Sequence, residues 1–516
     1  MLHRLNASRS GIKSLIIRFK LLQLVILGFC FAVVPDLTAQ DKPNVLFIVS
    51  DDLNTKIGPY MDIDQHTPNL DRLAASGVTF SRAYAQYPVC GPSRASFMSG
   101  LYPETNGVTH NRVTYGSYKV DTPELADHPT IAGFFRERGY YTARVSKIFH
   151  MGVPGGIERG NPGSDEPDSW DYTYNIMGPE TLSSGELELL SPLDLHYGGN
   201  ISRMILPDSK QYTQTDYLAA SQAIAILENR SNDIAEGATN LVREKPDAPF
   251  FLAVGFVRPH VPFIATESNY AAYPKEEIIL PEVIVGDNVP EQALRQQNQN
   301  RYGMSEEQKR KAIRGYMASV RFMDKQVGRL LDAVERLGIR EETIIIFLSD
   351  HGFNLGEHDT WAKLSLWEGT VRAPLIISVP GSDFEANHGT ENDVITEFID
   401  IYPTLTDLSP FPDEAPEILQ GKSLLGYLNG TKSHNPDRIA YSISYGGDDA
   451  TIRTDRWRYT RWGNEVYEGN EELYDHDNDP EEHVNLADNP DYQDILMEMR
   501  EKMNSKREEV RNFSFD

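Results

Sequence analysis

Cysteine is nearly absent from this chain: its 516 residues include two, Cys30 and Cys90. A fold stapled by several disulfides is therefore excluded. Basic residues are also scarce, with 49 Lys and Arg against 76 Asp and Glu and a formal net charge of −27. Recognition of a phosphate backbone needs clustered Lys and Arg, so the acidic balance argues against a nucleic-acid partner. A local basic pocket for a small polyanion stays compatible with it. Long apolar runs are missing as well. The run from Leu21 to Val34 is 14 residues, short of the ~20 that span a bilayer. The sequence shows no internal repeat and no low-complexity tract.

The short apolar run has a telling context. Arg4, Arg9, Lys13, Arg18 and Lys20 precede it, and Pro35 and a short stretch ending Leu37-Thr38-Ala39-Gln40 follow. Basic leader, apolar centre and small-residue end are the parts of a secretory signal peptide over residues 1–39, which predicts export to the periplasm or the medium. Lipidation at Cys30 is the competing reading, and the bulk of Phe29 argues against it. Cleavage near Ala39 removes five basic residues and Asp36, leaving 44 against 75, a charge of −31, with no membrane span. Cys30 leaves too. Cys90 is then a single thiol in an oxidising compartment, for which the default reading is a buried, inert small hydrophobe.

What is present is a folded protein: 40% hydrophobic and 24% charged residues exclude a disordered chain. The length implies two subdomains, or one large α/β domain with an appendage. Continuous apolar runs read as strands buried on both faces: NVLFIVSDD from Asn44, then 250–256, 343–350 and 374–380. Between them lie helical patterns. The clearest runs from about Glu306 to Leu337, with Ile313, Met317, Val320, Val327, Leu331 and Val334 on one face. A short helix from Thr130 to Arg138 is followed by the strand-like YYTARV. Alternation of this kind predicts an α/β fold with a large, mostly parallel sheet covered on both faces. The first domain is placed at 40–410. A Pro- and Gly-rich texture then gives way to YSISY, IRTDRWRYTRW, a polar turn from Glu472 and a helix near 490–511, a smaller C-terminal α+β subdomain over 411–516. Residues 151–210, rich in Gly, Pro, Ser and Asp, read as an ordered insertion near a functional face.

Ligands of open α/β sheets sit at the carboxyl ends of the strands. Two predicted strands end there in metal-ligating groups, Asp51-Asp52 and Asp350-His351. An Asp-Asp pair alone reads as a turn or helix cap. A second acidic-His pair at an equivalent strand end shifts the reading to a divalent cation that prefers oxygen, calcium or magnesium rather than zinc. Cys90 lies in PVCGPSRASFMSG. With Pro92 at the first helical position and Ser93 to Ser99 in the first turns, Cys90 is placed at a helix N-terminus, where free N–H groups favour an anion. Arg94 adds a planar fork of donors suited to sulfate or phosphate oxygens.

CGPSRASFMSG resembles the Cys-x-Pro-Ser-Arg signature of type I sulfatases, whose Cys is converted after translation to Cα-formylglycine. The usual ending is Leu-Thr-Gly; here it is Met98-Ser99-Gly100. The resemblance runs from PNVLFIVSDD to ELYDHDNDPEEHVNLA and implies the alkaline phosphatase superfamily fold. It further implies calcium held by Asp51, Asp52, Asp350, His351 and the modified Cys90. The partner it implies is a maturase, either a formylglycine-generating enzyme or an anaerobic sulfatase-maturating enzyme. Many sulfatases have Asn where this chain has His351. That His, the KIFH spacing of Lys147 and His150, His260 in RPHVPF and Lys363 in EHDTWAKLSLWE are similar to iduronate-2-sulfatases.

The family mechanism is covalent. One hydroxyl of the hydrated formylglycine attacks sulfur, and the sugar oxygen leaves. The resemblance implies that calcium, Arg94, Lys147 and Lys363 supply positive potential. His260 is the candidate for protonating the leaving oxygen and His150 for the base that ejects sulfate. The expected substrate is a sulfated oligosaccharide cleaved from its end, a 2-O-sulfated uronic acid, with Arg258 and Arg372 as partners for the uronate carboxylate. Three alternatives stand beside it: a sulfatase of algal polysaccharides such as ulvan or carrageenan, a phosphate or phosphonate monoester hydrolase, and an inactive glycan-binding homologue.

Overall fold

The Val-, Ile- and Phe-rich runs pair within one eight-stranded sheet. The computed structural model describes residues 42–61, 66–111, 116–194, 199–230, 248–286, 288–294 and 299–515; the predicted signal peptide, 1–39, lies outside them. In chain order the strands are β1 (Asn44–Asp51), β2 (Val78–Phe80), β3 (Tyr141–Ser146), β4 (Tyr172–Tyr174), β5 (Phe250–Pro259), β6 (Thr343–Ser349), β7 (Leu375–Ser378) and β8 (Thr390–Asn392). They lie in the order β8-β2-β7-β6-β1-β5-β3-β4. The five from β6 to β4 run parallel. β7 is antiparallel to both its neighbours, so the run at 374–380 joins the sheet reversed. The sheet is mostly parallel, as its continuous apolar strands predict.

Alternate side chains of β1 enter opposite layers, the consequence of the two-residue strand repeat. Leu46 and Ile48 join the core under α1 (Pro68–Ala75), α4 (Thr215–Arg230) and α5 (Glu306–Arg336). Val45, Phe47 and Val49 join the one under α2 (Cys90–Ser99), α3 (Ile131–Glu137) and α6 (Ile401–Asp407). α5 opens on a capping box between Ser305 and Gln308, which satisfies orphan N–H groups at its start. Its predicted apolar stripe packs on the sheet, Ile313, Val320, Val327, Leu331 and Val334 buried and Met317 partly so. Thr130 caps α3 by accepting the Gly133 N–H at 3.0 Å.

The C-terminal strands form a separate four-stranded antiparallel sheet, β9 (Ala440–Ser444), β10 (Asp449–Arg453), β11 (Trp457–Arg461) and β12 (Glu471–Asp475). The expected polar turn from Glu472 therefore begins later: Leu473 and Tyr474 are buried strand residues, and the chain turns from His476. Helix α7 (Gln493–Arg511) lays Leu496, Met499, Met503 and Val510 on this sheet. Tyr87 and Val89, just before Cys90, enter the same apolar cluster. In the insertion, Glu186–Leu189 and Ser202–Leu206 pair with each other, and the latter with Phe263–Thr266. No helix among the described residues is long and apolar enough to cross a membrane.

Candidate active site

β1 and β6 pair in parallel up to Ser50 opposite Ser349, so Asp51-Asp52 and Asp350-His351 emerge side by side. All four are fully buried. Asp52 takes a left-handed φ of 64°, a conformation Asp tolerates better than most residues. Its turn is pinned at three points. The Asp52 N–H donates to Asp350 Oδ1 at 3.0 Å, and the Leu53 N–H to Ser349 Oγ at 2.9 Å. Tyr316, from α5, donates its hydroxyl to the Asp52 carbonyl at 2.8 Å. One oxygen each of Asp51, Asp52 and Asp350 lie within 4.8 Å of one another, as do ligand atoms of Asp52, Cys90 and His351.

α2 begins at Cys90, two residues earlier than expected, so Pro92 takes the third helical position. The first-turn N–H groups have no acceptor inside the helix, and Pro is as well tolerated there. Asn111 Oδ1 accepts the Gly91 N–H at 2.7 Å, and Ser93 Oγ donates to the Asp350 carbonyl. Arg94 is fully buried. Its Nε donates to Asp350 Oδ2 at 2.9 Å, its Nη2 meets Asp51 Oδ1 at 3.3 Å, and its Nη1 donates to the carbonyls of Lys147 and Ile148. The expected open fork for a ligand is thus an internal counter-ion that holds two strand ends together.

Lys147 follows β3. Its backbone passes so close to Gly255 that a Cβ there would stand 2.0 Å from the Lys147 carbonyl oxygen, which makes glycine a requirement of this approach. Its Nζ pairs with Asp51 Oδ2. Lys363 lies between Ala362 at φ 68° and Leu364 at φ 79°, a backbone strained at both flanks. Lys363 Nζ donates to Asp52 Oδ1 at 2.7 Å and to Cys90 Sγ at 3.1 Å. His260, one residue beyond β5, donates Nδ1–H to the Val261 carbonyl at 2.8 Å and turns Nε2 toward Asp52 Oδ2 at 3.7 Å. His150 stands beside an apolar wall of Ala95, Val108, Tyr118 and Phe149, its Nδ1 buried without a partner. It is the most exposed member of the set.

The electrostatics sort these groups. Burial pushes Asp51 up, but Lys147, His260, Arg94 and Lys363 outweigh it and hold its carboxyl well below the usual range. Asp52 goes the other way, raised by burial and by the neighbouring Asp51 and Asp350. Burial, with Asp51 adding to it, pushes the Cys90 thiol well above its ordinary value. An unmodified Cys90 is therefore a protonated, weak nucleophile. His150 and His260 are pushed well below the usual imidazole range, first by burial, then by Lys147 for His150 and Lys363 for His260.

Asp52 Oδ2 and His351 Nε2 are buried with no hydrogen-bond partner, a costly state for polar atoms. With His351 Nδ1–H donated to the Gly352 carbonyl at 2.8 Å, Nε2 presents a lone pair to the cluster. Two lone-pair atoms without hydrogen-bond partners beside crowded carboxylates fit a divalent cation. The two predicted carboxylate partners are placed differently. Arg258 is buried, its Nη2 donating to both Glu180 oxygens at 2.9 Å. Arg372 directs Nε to the Ser81 carbonyl at 2.6 Å, with Glu368 beside it. Neither guanidinium joins the cluster, because each is already committed inside the fold. Sequence reasoning missed Tyr316, a polar residue on the buried stripe of α5, and Asn111 and Ser93, which fix the Cys90 helix. Ser93 lies within the signature; Tyr316 and Asn111 carry no local signal.

The sulfatase family profile matches residues 43–410, and the N-sulphoglucosamine sulphohydrolase C-terminal profile matches residues 356–509. The chain belongs to the sulfatase family. This sulfatase is 31% identical to a sulfatase of Formosa agariphila over 92% of the chain and 89% of the relative. It is 32% identical to the iduronate 2-sulfatase of Homo sapiens over 79% of the chain and 78% of that protein. A structure solved with its substrate D-glucosamine-2-N,6-O-disulfate superposes with a TM-score of 0.67 at 22% identity, covering 91% of this chain and 98% of the other. The fold is that of the solved sulfatase structure, and the enzyme is a sulfuric ester hydrolase.

Proposed function

We propose that this sulfatase is calcium- and formylglycine-dependent and removes sulfate from the end of a sulfated glycan fragment, a 2-O-sulfated uronic acid residue. The observation that carries the cofactor reading is the meeting of Cys90 with the strand-end groups: Lys363 Nζ bridges Cys90 Sγ and Asp52 Oδ1 at 3.1 and 2.7 Å. The uronate reading is supported by the identity to iduronate 2-sulfatase and by the His351, Lys147-x-x-His150 and His260 pattern. Export through the leader at 1–39 belongs to the same proposal.

The chain's own residues divide the work. Asp51, Asp52, Asp350 and His351 would hold the cation, which supplies positive charge that neutralises a sulfate oxygen and the nucleophile. Formylglycine at position 90 would supply a hydrated aldehyde, whose two hydroxyls allow both attack on sulfur and later expulsion of sulfate. Arg94, Lys147 and Lys363 formally balance Asp51, Asp52 and Asp350, so the residues alone leave no surplus for an anionic ester. Lys363 is the member of that balance that also touches position 90, since its Nζ donates to both Asp52 and Cys90.

His260 exchanges its proton at Nε2, because Nδ1–H is committed to the Val261 carbonyl. Burial and Lys363 favour its neutral form, while Asp51 favours the charged one. A bound sulfate ester adds negative charge in the same direction as Asp51 and brings His260 toward the acid that protonates the leaving oxygen. His150 is held neutral by burial and Lys147, the state a base needs for ejecting sulfate.

Sulfate release from a panel of defined oligosaccharides tests the substrate reading. The proposal expects turnover of a terminal 2-O-sulfated uronate and little or none of carrageenan or ulvan fragments. Preference for the algal fragments, or faster cleavage of aryl phosphate than aryl sulfate, would overturn it. His260→Ala should slow sugar sulfates far more than nitrophenyl sulfate, whose leaving group needs little protonation. His150→Ala should slow both and let a covalent adduct accumulate, visible by intact mass.

A further inference from the structure

Three buried charged groups lie beside the site and take no part in the reaction as assigned: Glu180, Asp216 and Arg258, at 0%, 1% and 1% exposure. They converge on the segment that carries His260. Asp216 accepts the Val257 N–H at 2.7 Å and the Arg258 N–H at 3.0 Å. Ser50 Oγ, next to Asp51, donates to the Arg258 carbonyl at 2.8 Å. The His260 N–H closes back on the Val257 carbonyl at 2.9 Å. Arg258 Nη2 donates to both Glu180 oxygens at 2.9 Å, and its Nη1 reaches the His260 carbonyl at 3.5 Å.

Glu180 comes from the insertion at 151–210, and its delivery is forced. Its φ is 37°, left-handed for a non-glycine residue. Two residues earlier, a Cβ on Gly178 would stand 1.9 Å from Thr215 Oγ1. Thr215 itself donates to Glu180 Oε1. A strained turn, a close approach and a buried ion pair converge on one carboxylate. Buried ion pairs add little net stability over an apolar filling, whereas local strain is retained where geometry matters. The insertion also holds the second histidine, since the Ser164 N–H donates to the His150 carbonyl at 3.0 Å.

We propose that Glu180 is a positioning residue for His260, acting through Arg258. Arg258 then orients the acid rather than binding a uronate, and the insertion fixes the placement of His260 from outside the cluster. The inference rests on His260 protonating the leaving oxygen, and the test keeps the two claims apart. Calcium-loaded, matured enzyme labelled with ¹⁵N-histidine is compared with Glu180→Gln, Glu180→Asp and His260→Ala. His260→Ala identifies the His260 resonance by its disappearance. Glu180→Gln should move that resonance and lower kcat on a sugar sulfate by about 10- to 100-fold, leaving KM and nitrophenyl sulfate turnover close to wild type. Glu180→Asp should recover part of the loss. An unmoved His260 resonance, or equal slowing of both substrates with a raised KM, would overturn the positioning role. Equal slowing of both substrates by His260→Ala would instead defeat the leaving-group assignment; the resonance shift in Glu180→Gln still decides whether Glu180 positions His260. Should Glu180→Gln fail to fold, Arg258→Lys is read in its place, keeping the charge while losing the planar fork.

Discussion

Among the described residues, a buried and a partly buried group of carboxylates and imidazole have spacing that would suit a metal, and they differ in what they leave unsatisfied. One is Asp51, Asp52 and Asp350 with His351; the other is Glu368, His476 and Glu482. In the second, Arg458 pairs with both glutamates, His476 Nε2 meets Glu482 Oε1 at 2.9 Å and Tyr84 donates to Glu368 at 2.9 Å. Desolvation of the partly buried Glu368 pushes its carboxyl up, yet Arg458, His476 and Arg453 hold it far below the usual range. In the first, Arg94, Lys147 and Lys363 are present, yet Asp52 is raised and two ligand atoms stay orphaned. Proximity of acidic side chains is therefore common to both clusters. Unpaired atoms aimed at a shared centre belong to the strand-end cluster.

The largest effect expected of this contrast is chemical. Cys90→Ser should lower kcat on aryl sulfate by ~10⁴-fold or more, as losses of a nucleophile do, with an unchanged far-ultraviolet circular dichroism spectrum. Retention of a tenth of the activity would break the division between working and structural charge. Arg458→Met should do the reverse. Removing one partner of a buried pair costs about 3–5 kcal/mol of stability, read as a lowered denaturant midpoint, while kcat per folded molecule stays at the wild-type value. A loss of turnover larger than the loss of folded protein would show that the C-terminal cluster reaches the chemistry.

Removing calcium by exhaustive chelation should lower thermal stability by about 3 kcal/mol at ligand concentrations near 100 times Kd, with recovery on adding calcium back. In Asp52→Asn the stabilising response to calcium should be largely lost, and in Arg458→Met it should remain. Equal responses in the two variants would erase the difference between the clusters. A smaller effect comes from a third buried group. His128, whose Nε2–H donates to the Ser99 carbonyl at 2.7 Å behind the Cys90 helix, is pushed down to about 4, mainly by burial. Its unfolded counterpart titrates near 6.5. Between these values the unfolded chain binds a proton that the native state does not, so stability is present above pH 6.5 and falls as pH drops toward 4. The fall is roughly 3 kcal/mol at most, and urea midpoints of His128→Gln should lack it.

Sheet strands and the long helix were legible because their apolar periodicity is continuous: β1 and β5 need no polar face, and α5 carries its stripe for eight turns or so by helix geometry. The polarity of β7 was not legible, since a four-residue buried run reads the same in either direction. Strand β12 was hidden because Glu471, Glu472 and Asp475 make it look like a turn; their charges are buried against Arg500, two indoles and Arg456. At the site, Cys90, Asp51, Asp52, Asp350 and His351 were visible at strand ends and in a signature. Arg258 and Arg372 were misplaced because a guanidinium's partner lies far away in sequence, 78 residues for Glu180 and 291 for Ser81. Long-range pairing of that kind leaves no local trace.

The most direct test of the central claim is peptide mass spectrometry of the Cys90-containing fragment, taken from protein whose sulfate release has been titrated by active-site labelling. The fraction carrying an aldehyde in place of the thiol should equal the fraction of active enzyme. Full activity in protein whose Cys90 is entirely unmodified thiol would contradict it.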